Sequence, residues 1–190
     1  TCALPICNYA SATPPEGFVE RARSGGGIDW RIPDLTATAY VSQSFGSLPR
    51  TGAGGSLDWV ATDQLRLAVA GELYSWDTPL RALLYGITAD EVGAKATWRW
   101  HESRSTALSL AYMPLSDGNQ CGSAGLVHHE KFVNLPGFDV TALAEAYVST
   151  NSIANAPYYN PTRDLSLTGG LLVEHTLWRR YDNSLVQALT

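Results

Sequence analysis

The residues of this 190-residue chain that could do chemistry are mostly carboxylates, and they recur at alternate positions of apolar segments. An acid that alternates with Leu, Val or Ala projects to the opposite face of a strand from those neighbours. The six acids of this kind are Asp29, Asp58, Glu72, Glu91, Glu145 and Glu174. A water-filled wall tolerates such charges, whereas a dry core requires each of them to be paired. We therefore predict that the six carboxylates line an aqueous path and hold cationic or neutral polar groups by weak contacts.

Basic residues occupy the same polar positions and leave a second interpretation open. Arg31, Arg66, Lys95 and Arg99 alternate with apolar residues just as the acids do. If each base pairs with an acid, the charges only brace the wall of the path and bind no permeant. The acids nevertheless outnumber the bases at these polar positions, which favours a cationic or neutral polar permeant. The net charge of −5 argues against a nucleic-acid partner.

The remaining reactive side chains predict no catalytic or metal centre. His128 and His129 are adjacent, so on a strand they point to opposite faces and do not chelate one ion together. Cys121 has no basic neighbour in sequence that would activate its thiol. The sequence contains no HExxH, GxSxG, phosphate-loop or CxxC motif. We predict no catalytic residues, no metal and no cofactor.

Short alternating segments would position the six acids. Segments of about ten residues with a period of two have the length that a tilted membrane-spanning strand requires. They cover residues 26–32, 35–45, 54–61, 65–76, 90–100, 106–115, 124–135, 139–150 and 165–181, with a last segment from 185. The segment at 124–135 is poorly patterned, so its register is left open. No apolar run is long enough for a membrane-spanning helix.

Two kinds of connection alternate along the chain. Tight turns at 32–34, 62–64, 101–103, 136–138 and 182–184 separate long polar connections at 46–55, 77–89, 116–123 and 152–164. Outer-membrane barrels have short periplasmic turns and longer extracellular loops. Five tryptophans lie close to a tight turn: Trp30, Trp59, Trp98, Trp100 and Trp178. Such rings favour the membrane interface, with an ordinary core as the alternative. The predicted fold class is all-β, an antiparallel up-and-down outer-membrane β-barrel.

The start of the chain carries different signals. Thr1–Ile6 has the sequence that a common sequencing-adapter end encodes, so residues 1–7 are predicted to be a translation artefact. Residues 8–24 are predicted to be an irregular leading segment that contains the breaker Pro14-Pro15. Residues 25–190 are predicted to form a partial transmembrane barrel of nine or ten strands, as a fragment of a larger one.

Five sequence blocks carry a family resemblance. They are Trp76–Ala82 with Gly86–Ala89, Trp98–Arg104, Ser116–Gln120, Ala156–Pro161 with Asp164–Leu165, and Trp178–Tyr181. In this order they resemble the C-terminal barrel of the poly-β-1,6-N-acetyl-D-glucosamine export porins, the PgaA family. The resemblance covers about residues 20–190, and the segment at 124–135 departs most from the family pattern.

The resemblance implies an outer-membrane barrel of about sixteen strands, preceded by periplasmic tetratricopeptide repeats that engage a deacetylase. It also implies an electronegative lumen that conducts a partially deacetylated, partly cationic biofilm polysaccharide, in agreement with the six acids. The expected partners are this polymer, outer-membrane lipid and the periplasmic deacetylase, and the expected location is the bacterial outer membrane. The family moves polymer without cleaving it, so the resemblance implies no catalytic residue.

Side chains in the long connections are predicted to contact the polymer at the outer opening of the barrel. Aromatic rings can stack on sugar rings or narrow the exit. The predicted loop contacts are Trp76, Asp77, Arg81, Asp117, Asn119, Tyr158, Tyr159 and Asn160.

The residues alone leave three other functions open. They are a generic outer-membrane channel or surface-assembly barrel, a barrel enzyme such as a lipid A modifier, and a soluble carbohydrate-binding β-sandwich. The enzyme requires a Ser/His/acid cluster at one rim, where His128 and His129 would be the candidates. The sandwich requires the apolar faces to pack on each other. Since about ten strands leave two open edges, we also expect that the isolated chain does not fold stably.

Overall fold

The computed structural model describes residues 19–180 and 183–189. These residues form one antiparallel sheet in which each strand pairs with the next along the chain. The strands are β1 (Arg21–Ile32), β2 (Leu35–Gly46), β3 (Thr51–Val60), β4 (Leu65–Leu73), β5 (Glu91–His101), β6 (Arg104–Pro114), β7 (Gln120–Leu135), β8 (Phe138–Asn151), β9 (Arg163–Arg180) and β10 (Asn183–Leu189). The predictions for residues 1–18 lie outside the described residues, as does the start of the turn predicted at 182–184.

The register of the strand pairs divides the sheet into two faces. Residues that pair across neighbouring strands share a face. Thus Thr38, Ser56 and Ala70 form one row, whereas Leu57 pairs with Val69 on the other side of the sheet. We call the side with Thr38 the polar face and the side with Leu57 the apolar face. The apolar face exposes large side chains, among them Ile28, Trp30, Trp59, Leu108, Leu110, Leu126, Leu165 and Leu167.

The strands are staggered, and the stagger tilts them relative to a common axis. A row of paired residues that starts at Leu35, the first residue of β2, passes through each strand from β3 to β8 and reaches β9 at Leu167. Leu35 lies beside a tight turn, whereas Leu167 is far from the end of β9 at Arg180. Closure of a sheet into a barrel requires this shear. Among the described strands β1 pairs only with β2 and β10 only with β9, so these two edges are not closed on each other.

Several boundaries differ from the sequence predictions because Gly, Ser and charged residues extend the strands without an apolar signal. β1 begins at Arg21, inside the segment predicted to be irregular, and β3 begins at Thr51, inside a predicted loop. β7 begins at Gln120 and is paired along its length, with a bulge between Lys131 and Val133. β4 ends at Leu73, so the prediction of a strand to residue 76 is wrong.

The sheet has two distinct ends, which we call the turn end, with the tight connections, and the loop end, with the long ones. The connection after β4 contains a short helix that the sequence pattern did not predict, α1 (Leu80–Leu84).

In the part of the chain that the structure describes, no helix is long and apolar enough to cross a membrane.

Buried apolar side chains gather at the loop end. The cluster comprises Ala82, Ile87, Ala89, Leu115 and Tyr158, which come from the connections after β4, β6 and β8. Within the described residues, no second sheet packs on the apolar face. The alternative of a soluble β-sandwich is therefore wrong, because the apolar side chains line the outside of one sheet and do not face each other.

Candidate functional site

The six acids predicted to line a path all lie on the polar face. Glu72 pairs with Glu91 across β4 and β5, and Asp58 pairs with Thr36, which shares its row with Arg31. The remaining three acids occupy the same face at Asp29 in β1, Glu145 in β8 and Glu174 in β9. Alternation along each strand was therefore a sufficient signal for their common orientation.

Two of the acids are held in pairs near the turn end. Asp29 accepts a hydrogen bond of 2.9 Å from the Thr38 hydroxyl and lies 3.3 Å from the Arg31 guanidinium. Asp58 accepts a hydrogen bond of 2.6 Å from Nε of Arg66. These contacts agree with the interpretation that part of the charge braces the wall.

Glu72 is the centre of a larger network toward the loop end. It forms an ion pair with Arg23, accepts a hydrogen bond of 2.7 Å from the Tyr40 hydroxyl and accepts one of 3.1 Å from the Trp76 backbone N–H. Gly54 makes room for this network, because a Cβ at that position would lie 2.5 Å from Cζ of Tyr40. The carboxylate of Glu72 thus fastens β1, β2 and the connection after β4 together.

Glu91 is connected to the region around Glu72 by a hydrogen bond from Ser75. Ser75 donates a hydrogen bond of 2.7 Å to Glu91 and accepts one of 2.8 Å at its carbonyl from Arg21. The Arg21 guanidinium also lies over the Trp76 ring, 4.3 Å from the ring centroid. This stacking fixes the start of the loop against β1.

Glu145 and Glu174 differ from the other four acids. No hydrogen bond or ion pair to either carboxylate is found within residues 19–180 and 183–189. Glu174 lies opposite Asp139 in the ladder, and Asp139 accepts a hydrogen bond of 2.9 Å from Lys131. The sheet surface formed by β8 and β9 therefore presents two carboxylates that make no direct hydrogen bond or ion pair within the described residues, while the charge of Glu174 still acts on nearby Lys131.

The sequence pattern missed five charged residues of the polar face: Arg21, Arg23, Lys131, Asp139 and Asp164. Arg21 and Arg23 alternate with small residues, and an alternation of basic residues with Ala and Ser is the signal that could have revealed their strand. Lys131 and Asp139 flank a bulge and a turn, where the period of two is interrupted. Arg21 and Arg23 make the charge of the polar face more balanced over β1–β4 than predicted.

The long connections form an ordered, hydrogen-bonded layer at the loop end. Asn119 is 0% exposed, and its amide donates hydrogen bonds of 3.0 Å to Asn151 and to the Tyr158 hydroxyl. Its carbonyl oxygen accepts hydrogen bonds from the backbone N–H groups of Ser152 and Ile153. One amide therefore joins the connections after β6 and β8.

The Tyr158 hydroxyl continues this network. It donates a hydrogen bond of 2.8 Å to Asp117, whose other oxygen accepts one of 3.0 Å from the Asn119 backbone N–H. Burial, together with the hydrogen bond to Asp117, raises the pKa of Tyr158 to about 12. The phenol is thus held in its protonated, donating form.

The eight predicted loop contacts differ in how far they are exposed to solvent. Asn119, Tyr158 and Asn160 are buried, and Asn160 donates a hydrogen bond of 2.6 Å to the Ile153 carbonyl, so these side chains hold the loops together. The exposed positions are Trp76, Asp77, Asp117 and Tyr159, while Arg81 in α1 is half-buried. Sequence reasoning placed all eight in the loops but could not separate the buried from the exposed ones.

The histidines and acids give no metal site in the described ranges. No group of three or more His, Cys, Asp or Glu side chains is close enough there to hold a metal ion. His128 pairs with Thr106 on the apolar face and His129 with Ser105 on the polar face, so the two rings are separated by the sheet.

One up-and-down sheet with staggered strands, an apolar outer face and a charged inner face defines the wall of a membrane β-barrel. Residues 4–190 match the family described as the PgaA membrane beta barrel domain, and the chain belongs to that family. This confirms the predicted fold class and the location in the outer membrane.

Named relatives agree with the family. The chain is 30% identical over 162 residues to the poly-beta-1,6-N-acetyl-D-glucosamine export protein of Escherichia coli K12, and equally to that of Escherichia coli O157:H7. These alignments cover 85% of this chain and 20% of each relative, so the chain spans about a fifth of their length. A solved structure described as a bacterial polysaccharide outer membrane secretin superposes with a TM-score of 0.84 at 28% identity, covering 88% of this chain and 58% of that one.

Proposed function

We propose that this chain forms part of the wall of an outer-membrane porin that exports poly-β-1,6-N-acetyl-D-glucosamine in partially deacetylated form. The observation that carries the proposal is the alignment of all six predicted acids on one face of a membrane barrel wall. The name of the Escherichia coli relatives supplies the identity of the polymer. Deacetylated sugar units carry ammonium groups, which complement carboxylates.

Within this function, we assign a structural role to some of the acids and a binding role to others. The Glu72 carboxylate is committed to Arg23 and Tyr40, so it maintains the wall at the loop end. Glu145 and Glu174 carry no such partner within the described residues, so they are the acids that contact glucosammonium units directly. Contacts of this kind guide a polymer without trapping it when each is weak and several follow in series.

At the loop end, exposed rings would receive the polymer. Trp76 and Tyr159 are the exposed aromatic side chains among the predicted contacts, and Arg21 fixes the orientation of the Trp76 ring. We assign stacking on sugar rings to these two residues. Deletion of the connection between β8 and β9 would leave conductance and polymer export unchanged if the loops had no such role.

The first experiment replaces the two unpaired acids in the full-length protein. Glu145→Gln and Glu174→Gln remove charge without removing volume, and together they are expected to lower export of deacetylated polymer while the barrel stays assembled. The readouts are secreted polymer in cells and block of bilayer conductance by glucosamine oligomers. Glu102→Gln, an exposed acid in the turn after β5, is the matched control and should leave both readouts unchanged.

A second arm of the experiment separates the effect of the lost carboxylate charge from a general loss of barrel function. Fully acetylated oligomers carry no ammonium group, so their passage should be insensitive to Glu145→Gln and Glu174→Gln. Equal loss for both kinds of oligomer would contradict a role of these acids in binding cationic units. The deacetylase contact through periplasmic repeats and the total of about sixteen strands stay predictions.

A further inference from the structure

A group of polar side chains lies on the apolar face near the turn end. Because this face is outside the lumen, export of the polymer does not involve the group. Arg104 and Glu130 pair across β6 and β7 and form an ion pair, with 3.1 Å between Nε of Arg104 and Oε1 of Glu130. The His128 ring lies beside them, with Nε2 3.7 Å from Oε2 of Glu130. Among the ion pairs of the described residues, only this group lies on the apolar face; the others are on the polar face.

Hydrogen bonds extend the group to a tryptophan. The Trp100 indole N–H donates a hydrogen bond of 3.1 Å to the Thr106 hydroxyl, which lies 2.9 Å from Nδ1 of His128. Since indole is only a donor, the Thr106 hydroxyl accepts from Trp100 and keeps its own proton for a further contact. Nε2 is the ring nitrogen of His128 that faces Glu130.

The position of the group corresponds to the level of lipid headgroups. Arg104 is the first residue of β6, directly after the tight turn, and Trp98 lies in the same row as Thr106 and His128. Tryptophans gather at the membrane interface, and an arginine on the lipid-facing side of a barrel is tolerated there but costly at the bilayer centre. The group therefore meets the polar boundary of the bilayer.

The two charges retain capacity for an external partner. Nε and one terminal nitrogen of Arg104 are directed to Oε1 of Glu130, whereas the other terminal nitrogen makes no hydrogen bond within the described residues. Oε2 of Glu130 has only the His128 ring nearby, beyond hydrogen-bonding distance. The side chains are 41% and 35% exposed, so a headgroup can reach both. One donor site and one acceptor site thus lie next to each other.

We propose that this group binds the headgroup of a zwitterionic phospholipid that carries a primary ammonium, with its phosphate on Arg104 and its ammonium on Glu130. An anionic headgroup bound to Arg104 would lie next to the Glu130 carboxylate and be repelled by it. A zwitterionic headgroup places a negative charge on Arg104 and a positive charge on Glu130. The Trp98 and Trp100 rings, in edge-to-face contact with centroids 6.0 Å apart, then pack along the glycerol and the first acyl carbons.

Native mass spectrometry of the full-length protein with defined phospholipids tests the proposal. Dioleoyl-phosphatidylethanolamine has phosphate and N–H donors, the phosphatidylcholine analogue has no N–H donor, and the phosphatidylglycerol analogue has no cation. We expect the first to be retained about tenfold better than the other two, as for a charge-assisted hydrogen bond. Glu130→Gln should remove this preference, and Arg104→Gln should weaken retention of all three.

Lys131→Gln is the matched control, because Lys131 is the next residue of β7 and lies on the polar face. Its lipid retention should equal that of the unchanged protein. The double variant Arg104→Leu and Glu130→Leu gives a fully apolar site that suits a lipid-facing wall, so it separates lost binding from lost folding. Equal retention of the three lipids by the unchanged protein would overturn the proposal. Displacement of the lipid by free phosphorylethanolamine at equal concentration would assign the site to a soluble ligand instead.

Discussion

At the scale of single residues, the loop end shows why polarity alone does not identify a ligand contact. Asn119 and Tyr158 have the chemistry of sugar-binding side chains, yet both are buried, and Asn119 satisfies its amide within the protein. A buried amide without partners would cost about 1–3 kcal/mol, so such a residue is retained where neighbouring backbone groups can use it. The sequence contains no signal for these partners, because Ser152 and Ile153 are more than thirty residues away.

Tyr158 supports a prediction at this scale about alkaline pH. Its pKa is raised to about 12 in the folded protein against an ordinary value of 10.0, so the protonated phenol stabilises the loop layer below pH 10. That stabilisation is lost as the pH rises from 10 through about 12, since the phenolate cannot donate to Asp117. The measurement is the rate of limited proteolysis in the connection between β8 and β9 of the full-length protein, from pH 8 upward.

Two substitutions make this prediction specific. Tyr158→Phe should give faster cleavage at pH 8 and little further acceleration in the alkaline range. Tyr85→Phe changes an exposed tyrosine after α1 and should behave like the unchanged protein. The same alkaline acceleration in Tyr158→Phe would show that another group controls the loops.

At the scale of elements, the fold was predictable wherever apolar residues alternate and was missed where small residues take their place. The alternation in β4, β5 and β8 predicted their faces correctly, and the acids followed from them. The extensions of β1 and β3 consist largely of Gly, Ser and Ala, which carry little side-chain pattern. Their pairing is decided by the neighbouring strand, so it could not be derived from local sequence. The helix α1 has only five residues, too few for a periodic signal.

The glycines of β1 lead to a prediction about strand packing. A Cβ at Gly27 would lie 2.6 Å from the Ala39 carbonyl oxygen and 2.7 Å from Cβ of Tyr40, whereas a Cβ at Gly26 meets nothing within 4 Å. Gly27→Ala should therefore force β1 away from β2 and destabilise the barrel by about 1–3 kcal/mol. Gly26→Ala should be neutral or slightly stabilising, because alanine restricts the unfolded chain.

The check is the urea midpoint of the full-length protein in detergent, followed by its heat-dependent migration on gels. Because Tyr40 donates to Glu72, Gly27→Ala should also loosen the connection after β4, seen as faster proteolysis there. If the two alanine variants had the same midpoint, close packing at Gly27 would not control the pairing of β1.

At the scale of the whole molecule, the two faces of one sheet must meet two different solvents. The polar face combines braced ion pairs over β1–β4 with the unpaired Glu145 and Glu174 over β8 and β9. The apolar face exposes leucines and tryptophans that water alone would not accommodate over so large an area. Sequence alternation predicted this division, whereas the distribution of charge around the lumen required the register of every strand pair.

Adjacent residues in the middle of β6 test the division of the two faces in the full-length protein. Leu110 lies on the apolar face, opposite Ala94 and Ala124, and Ser109 lies on the polar face, opposite Lys95 and Gly125. Leu110→Arg places a charge against lipid and should cost about 2–4 kcal/mol of folding free energy in phospholipid vesicles. Ser109→Arg places the same charge in the aqueous lumen and should cost much less. Urea titration of folding into vesicles measures both values, and a larger cost for Ser109→Arg would mean that the lipid covers the opposite face.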